Sequence, residues 1–304
     1  RDKNKESANQ RFIDTLHFYF GSKLDKYINK RIFILKGNIL KEDFELSKTN
    51  INMLSKNIDI VINAAALVKH YGKESLFNET NIGSTKIAIQ FCKSFKKRFI
   101  YISSLSVSGN DVLHNNTSFN PLSEDMYFSE TNLYIGQKLD NVYIKSKFEA
   151  EKLVLENIAS NSLDAQILRL GNITSRLSDG KFQINPNENA FANKLRSLIM
   201  LKYIPETLIS SYIEFTPVDI CSDAIILIIQ NYISDFSVFH IYDNNHVYVK
   251  DFIRIINDLN IDCSIINEND FSNLIKEKTS ANINVLDGII NDLTEDNKLY
   301  YTSN

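Results

Sequence analysis

Three short apolar runs, each closed by small or polar residues, constrain this chain most. Ile58-Asp59-Ile60-Val61-Ile62 ends in Asn63-Ala64-Ala65-Ala66, Arg98-Phe99-Ile100-Tyr101-Ile102 ends in Ser103-Ser104, and Ala165-Gln166-Ile167-Leu168-Arg169-Leu170 ends in Gly171-Asn172. Runs of this length, rich in β-branched and aromatic residues, read as strands, and the near-continuous apolar character of Ile58 to Ile62 reads as burial on both faces. Helix-length stretches separate them. Strands alternating with helices need crossover connections, which predicts an α/β fold with a doubly wound parallel sheet. Ligands of such sheets sit at the carboxyl ends of the strands, where the small residues fall.

The remaining periodicities extend this frame. Phe12, Leu16, Tyr19, Phe20, Leu24 and Tyr27 place an amphipathic helix over Arg11 to Tyr27, and Arg31 to Leu35 reads as a short strand stopped by Gly37-Asn38. Helices are expected over Ile51 to Lys56, Phe77 to Phe95 and from Tyr143 to about Ile158. Beyond Gly171 the alternation loosens. Leu177 to Asn189 reads as loop, Ala190 to Leu201 as helix, and Phe215 to Asp219 leads into an apolar helix to Tyr232. A strand over Ser237 to Tyr242, a helix over Lys250 to Leu259, a strand over Asp262 to Ile266 and a helix over Phe271 to Lys278 follow. The expected organisation is a sheet domain, 1–171 plus about 214–245, with a smaller C-terminal lobe, about 172–213 plus 246–304.

Composition narrows the class. The 304 residues are 43% hydrophobic and 23% charged, ordinary for a globular chain with a real core. A net charge of −3 and a pI near 6.0 give no pull toward nucleic acid or an anionic membrane. Cys92, Cys221 and Cys263 have neither zinc-ligand spacing nor the even count of a disulfide framework, so they read as structural thiols, and the expected location is the cytoplasm. No apolar run reaches the length of a membrane span.

The chemistry lies between Tyr101 and Lys147. After the second strand comes Ser103-Ser104-Leu105-Ser106-Val107-Ser108-Gly109; further on comes Tyr143-Ile144-Lys145-Ser146-Lys147, opening a helix. A Tyr and a Lys four apart share one helix face. An ammonium there favours the phenolate, and a phenol so tuned can exchange a proton. A lone Tyr-x-x-x-Lys is usually a solvated helix face; the strand-end hydroxyl of Ser104 changes that weighting, since it can hold a carbonyl oxygen beside the pair.

Together these segments resemble the active site of the extended short-chain dehydrogenase/reductases, a Rossmann-like fold. The resemblance assigns the chemistry to Ser104, Tyr143 and Lys147, with Asn81 holding a water that links Lys147 to solvent. Within that superfamily the chain resembles the terminal thioester reductase domains of nonribosomal peptide synthetases. Asn63-Ala64-Ala65-Ala66-Leu67-Val68 stands for a His-x-Ala-Ala-x-Val segment, Gly37-Asn38-Ile39 for Gly-Asp-Ile, and Asn81 to Thr85 for Asn-Val-x-Gly-Thr. Arg169 to Thr174, Asp179 to Asn185, Glu214 to Asp219 and Phe239 to His246 resemble the peptide synthetase branch rather than sugar epimerases.

The resemblance implies NADP as cofactor. Arg1 and Arg11 would meet its 2′-phosphate, Asn38 and Ile39 its adenine, and Asn63, Ala64, Ala65, Ser103, Gly171 and Asn172 would line its path with Tyr143 and Lys147. It further implies reduction of an acyl or peptidyl thioester carried by a phosphopantetheinyl carrier-protein domain, giving an aldehyde or an alcohol. A Gly-x-x-Gly-x-x-Gly loop is not found in these 304 residues. The expectation is therefore a reductase domain lacking its first β-α-β portion, by a cut in the sequence or as a real fragment, and binding NADPH poorly alone. Two other readings stay open: an extended reductase acting on a nucleotide sugar, and a non-catalytic docking module.

Overall fold

The computed structural model describes residues 8–68, 72–112, 128–139, 141–231, 237–245 and 247–280. The chain opens with α1 (Ala8–Phe20), whose last turn runs into a 3-10 helix, Gly21–Tyr27, at Gly21 with φ +59°. α2 (Lys48–Asn57) starts at Ser47, whose hydroxyl accepts the Asn50 amide at 3.2 Å. β1 (Ile60–Asn63) follows, then α3 (Glu74–Phe77), one π-helical turn over Asn78–Gly83, and α4 (Ser84–Phe95). β2 (Arg98–Ser104) leads through a 3-10 turn into the short pair β3 (Asn110–Val112) and β4 (Gln137–Lys138). α5 (Val142–Ala159) and β5 (Ala165–Leu170) complete the second crossover.

The later elements are shorter: β6 (Ile173–Thr174), α6 (Ala190–Leu201), β7 (Tyr203–Pro205), β8 (Tyr212–Ile213) and β9 (Thr216–Pro217). Then come α7 (Val218–Gln230), β10 (Val238–Ile241), β11 (Val247–Tyr248), α8 (Val249–Asp258), β12 (Ser264–Ile266) and α9 (Glu268–Ser280).

The central sheet has the order β1-β2-β5-β10, and every pairing in it is parallel. Phe99, Tyr101 and Ile167 pack on one face against Ala88, Phe91 and Cys92 of α4 and Ala150 and Val154 of α5. Ile100, Leu168 and Ile241 pack on the other, beneath Cys221, Ala224 and Ile225 of α7. Alternate residues of one strand thus enter opposite cores, each buried aliphatic or aromatic side chain contributing roughly 1.5–3 kcal/mol. A third apolar cluster, with Leu198, Ile204, Ile213, Ile253 and Phe271, joins α6, α8 and α9 to the β7–β12 pair. All three cysteines are free and buried. Among the described residues no helix is long and apolar enough to cross a membrane.

Two expectations are corrected. Arg31 to Leu35 forms no strand: an isolated bridge joins Ile28 and Ile32, and Phe33 is 66% exposed. Its β-branched and aromatic residues have strand propensity, but no ladder partner lies beside them among the described residues. β1 is not buried on both faces either: Ile62 is 48% exposed, and among the described residues β1 has a strand partner only in β2. Arg1 and the end of the expected helix at Tyr232 lie outside the described residues.

Candidate active site

Local signals at two element ends place the reactive side chains. Asn141 caps α5, its side-chain oxygen accepting the amides of Tyr143 at 2.8 Å and Ile144 at 3.3 Å. That sets Tyr143 in the first turn and Lys147 one turn later. At the end of β2 the Ser104 hydroxyl accepts the Ser106 amide at 3.2 Å and lies 3.1 Å from the Ser106 hydroxyl. Gly109 closes this turn with φ +67°, and a Cβ there would collide with the Lys138 carbonyl. The Ser-x-x-Val-x-Gly pattern is thus a turn that swings the chain away from the strand end and leaves Ser104 facing α5.

The structure brings Ser104 close enough to Tyr143 for its hydroxyl to act on the phenol. Burial pushes the Tyr143 phenol up to about 12, and the Ser104 hydroxyl acts against that shift. Lys147 is buried; its Nζ donates to the Ile102 carbonyl at 2.6 Å and lies 4.4 Å from the centre of the Tyr101 ring. Burial lowers its ammonium to about 8, and the Glu151 carboxylate opposes that. These contacts hold Lys147 to the strand.

Asn81 sits in the π turn, where the usual helical ladder is interrupted. Its amide donates to the Leu67 carbonyl at 3.1 Å and the Ser146 hydroxyl at 2.8 Å, and its oxygen accepts the Leu67 amide at 2.7 Å. It therefore ties the segment after β1 to α5. Asn63 donates to Thr85 at 3.3 Å and accepts the Ala65 amide at 3.3 Å, while Thr85 donates to the Asn81 carbonyl at 2.7 Å. Ala64 is exposed and Ala65 half-buried. Ser103 is buried, and its hydroxyl has no hydrogen-bond partner among the described residues.

Gly171 and Asn172 lie at the end of β5, beside Ser104, since Ser104 is in register with Leu170. A Cβ on Gly171 would come within 2.6 Å of Glu214 Oε2 and Thr216 Oγ1. Glu214 is buried and accepts the Asn172 amide at 2.5 Å; burial raises its carboxyl above the usual range. Asn38 is occupied in its own turn, accepting the Leu40 amide at 3.0 Å, and Ile39 is exposed. Arg11 is exposed on α1.

Sequence reasoning missed the polar network behind this site. Arg169 and Glu151 form an ion pair at 2.8 Å with both side chains fully buried. Arg169 Nε faces both carboxylate oxygens, at 3.2 and 3.0 Å. Nη2 also donates to the Asn132 carbonyl at 2.8 Å, and Nη1 to the Ser129 carbonyl at 3.3 Å and to His240 Nε2 at 3.2 Å. His240 accepts there as a neutral ring, consistent with burial and Arg169 lowering its pKa to about 4. The available signal was a charge inside an otherwise apolar strand. Asp219 was also missed: at the start of α7 it accepts the amides of Leu177 at 2.9 Å and Ser178 at 3.1 Å.

The family model described as male sterility protein, an NAD-binding domain, matches residues 1–225. This chain belongs to the male sterility protein family. Among solved structures this family member is similar to a thiolation-reductase di-domain from an archaeal non-ribosomal peptide synthetase, with a TM-score of 0.79 and 27% identity over 98% of this chain and 61% of that one. The UDP-glucuronic acid 4-epimerase of Bacillus cereus shares the fold, with a TM-score of 0.55 and 19% identity over 82% of this chain and 74% of that one. The glycine betaine reductase of Emericella nidulans is 27% identical over 73% of this chain and 16% of its own length. The chain spans between 8% and 19% of the length of the curated relatives it matches.

Proposed function

We propose that this chain carries the catalytic face of an NADPH-dependent reductase releasing an acyl or peptidyl thioester from a phosphopantetheinyl carrier domain as an aldehyde. The observation that carries the reading is the juxtaposition of the Ser104 hydroxyl at the end of β2 with Tyr143, with buried Lys147 one turn along α5. The residues fit the nicotinamide end of the cofactor: the Ser103 hydroxyl is buried without a partner among the described residues, and Lys147 spends one of its three donors on the Ile102 carbonyl. The described residues supply no glycine-rich cradle for the pyrophosphate.

Bound NADPH would supply the hydride. Tyr143 hands its phenolic proton to the oxygen that gains negative charge at the thioester carbon, and Ser104 donates a hydrogen bond to the same oxygen. Lys147 lowers the cost of the phenolate left behind. Collapse of the resulting thiohemiacetal gives aldehyde and thiol. Asn81 acts as a clamp holding the β1 end against α5, since its amide protons are already engaged. Gly171 and Asn172 form the floor beside Ser104. The two lobes divide the work, with the sheet domain, 1–171 plus about 214–245, holding the cofactor and the remainder holding the acyl chain, in the cytoplasm.

Incubating the protein with NADPH and an acyl thioester on a carrier domain, then identifying the product by mass spectrometry, tests the reading. Aldehyde or alcohol is expected; a product only from a nucleotide sugar would assign the chain to the epimerase-like alternative, and none from either would leave a docking role. Replacing Arg1 with Ala should lower the preference for NADPH over NADH, because a guanidinium pairs with the 2′-phosphate. An unchanged ratio of efficiencies removes Arg1 from the cofactor site.

A further inference from the structure

Lys147 is surrounded on every packed side by groups that can be named. On its own helix stand Tyr143 and Glu151, one turn before and one turn after it. β2 supplies the Tyr101 ring and the Ile102 carbonyl. β5 supplies Arg169, behind Glu151. The π turn and α4 supply Asn81 and Thr85, which do not titrate. Of these groups, the Glu151 carboxylate raises the Lys147 ammonium against the effect of its burial. The Tyr101 phenol responds to both Glu151 and Tyr143, so these four side chains form one electrostatic cluster.

Glu151 is itself held from behind. All five N–H donors of Arg169 have acceptors: three serve the Glu151 carboxylate or the Asn132 carbonyl, and two serve the Ser129 carbonyl and His240. A guanidinium so engaged cannot turn, and it fixes the carboxylate in a bidentate grip. The same residue stands two positions before Gly171, so β5, α5 and the 128–132 segment converge on one side chain.

We propose that Glu151 is a positioning residue for Lys147, its carboxylate locked by Arg169 so that the ammonium keeps a fixed counter-charge one helical turn away. A buried ion pair is weak support for stability, because apolar side chains of similar volume hold as well or better. What an apolar pair cannot do is present a negative charge to Lys147. The proposal rests on the reduction reading for its consequence in turnover, but its physical content concerns the protonation of Lys147 alone.

The test measures the titration of Lys147 Nζ by NMR in the full chain with isotope-labelled lysine, the resonance being assigned by its loss in Lys147→Met. Two variants are compared with the parent. Glu151→Gln leaves Arg169 buried without a counter-ion and can fail to fold; Glu151→Leu with Arg169→Met removes both charges and leaves none stranded. The expected result is a Lys147 midpoint lower by about one pH unit in the double variant. A folded double variant with an unmoved or raised midpoint overturns the proposal. Where the parent reduces thioesters, the alkaline limb of kcat/KM should move with the midpoint, and a limb that stays put while the midpoint moves also overturns it. A parent without turnover counts against the reduction reading and leaves the Lys147 titration to decide the proposal separately.

Discussion

Tyr143→Phe removes one hydroxyl from a side chain whose ring is already packed, so its effect isolates the proton. In a longer chain that also carries a glycine-rich phosphate loop, turnover should fall roughly a hundred- to ten-thousandfold while NADPH binding persists; near-normal turnover, followed by NADPH absorbance, would end the assignment. Gly171→Ala asks for space that is not there. Its Cβ would press on Glu214 and Thr216 at 2.6 Å, both buried. The cost is about 1–3 kcal/mol as an overpacked site, read as a lower thermal midpoint, with weaker cofactor binding because the Asn172 amide leaves its place on Glu214. At this scale the placement of Ser104 at a strand end and of Tyr143 and Lys147 one turn apart on one helix was legible, since spacing alone fixes it. Glu151 and Arg169 were not. Each looks ordinary alone, and only the parallel register of β5 beside β2, beneath α5, brings them together.

Elements carry the next set of effects. The loop from Arg176 to Lys181 is pinned to α7 by Asp219, which its backbone hydrogen bonds hold at about 2 against an ordinary 3.8. A depressed carboxyl contributes above its unfolded value and loses that contribution as pH falls through the folded one. The latch is therefore complete above pH 3.8 and released as the pH drops toward about 2. In Asp219→Asn the amides of Leu177 and Ser178 should exchange faster at neutral pH, where hydrogen exchange can read them; equal protection would mean that the loop is held elsewhere. His240 acts in the same direction. Its neutral ring accepts from Arg169, so its contribution is present near neutrality and fades as pH falls from 6.5 to about 4. Element positions were largely legible: the helix over Ala190–Leu201 and the strand over Ala165–Leu170 fall where periodicity placed them. The segment containing Phe33 was misread because propensity reports on a side chain, whereas a strand needs a neighbour.

Among the described residues, the sheet binds two apolar layers and β1 lies at its edge, where Ile62 is exposed. An exposed apolar residue on an edge invites pairing with another chain. Ile62→Lys should reduce self-association of this chain at high concentration, measured by light scattering, without lowering its thermal midpoint. Unchanged scattering would place the adhesive surface elsewhere.

The order of the strands also sets a clock. β10 hydrogen-bonds to β5 with Val238 opposite Ile167, about seventy residues later in the chain. At ribosomal speeds of roughly 5–20 residues per second, that interval lasts on the order of 4–14 s. For those seconds the nascent strand bearing Arg169 has β2 on one side and nothing from β10 on the other. Its buried cation must wait for His240 to be synthesised before its last acceptor exists. A ribosome stalled before Val238 should therefore display a β5 whose outward amides still exchange with water, and one stalled well past Ile241 should not.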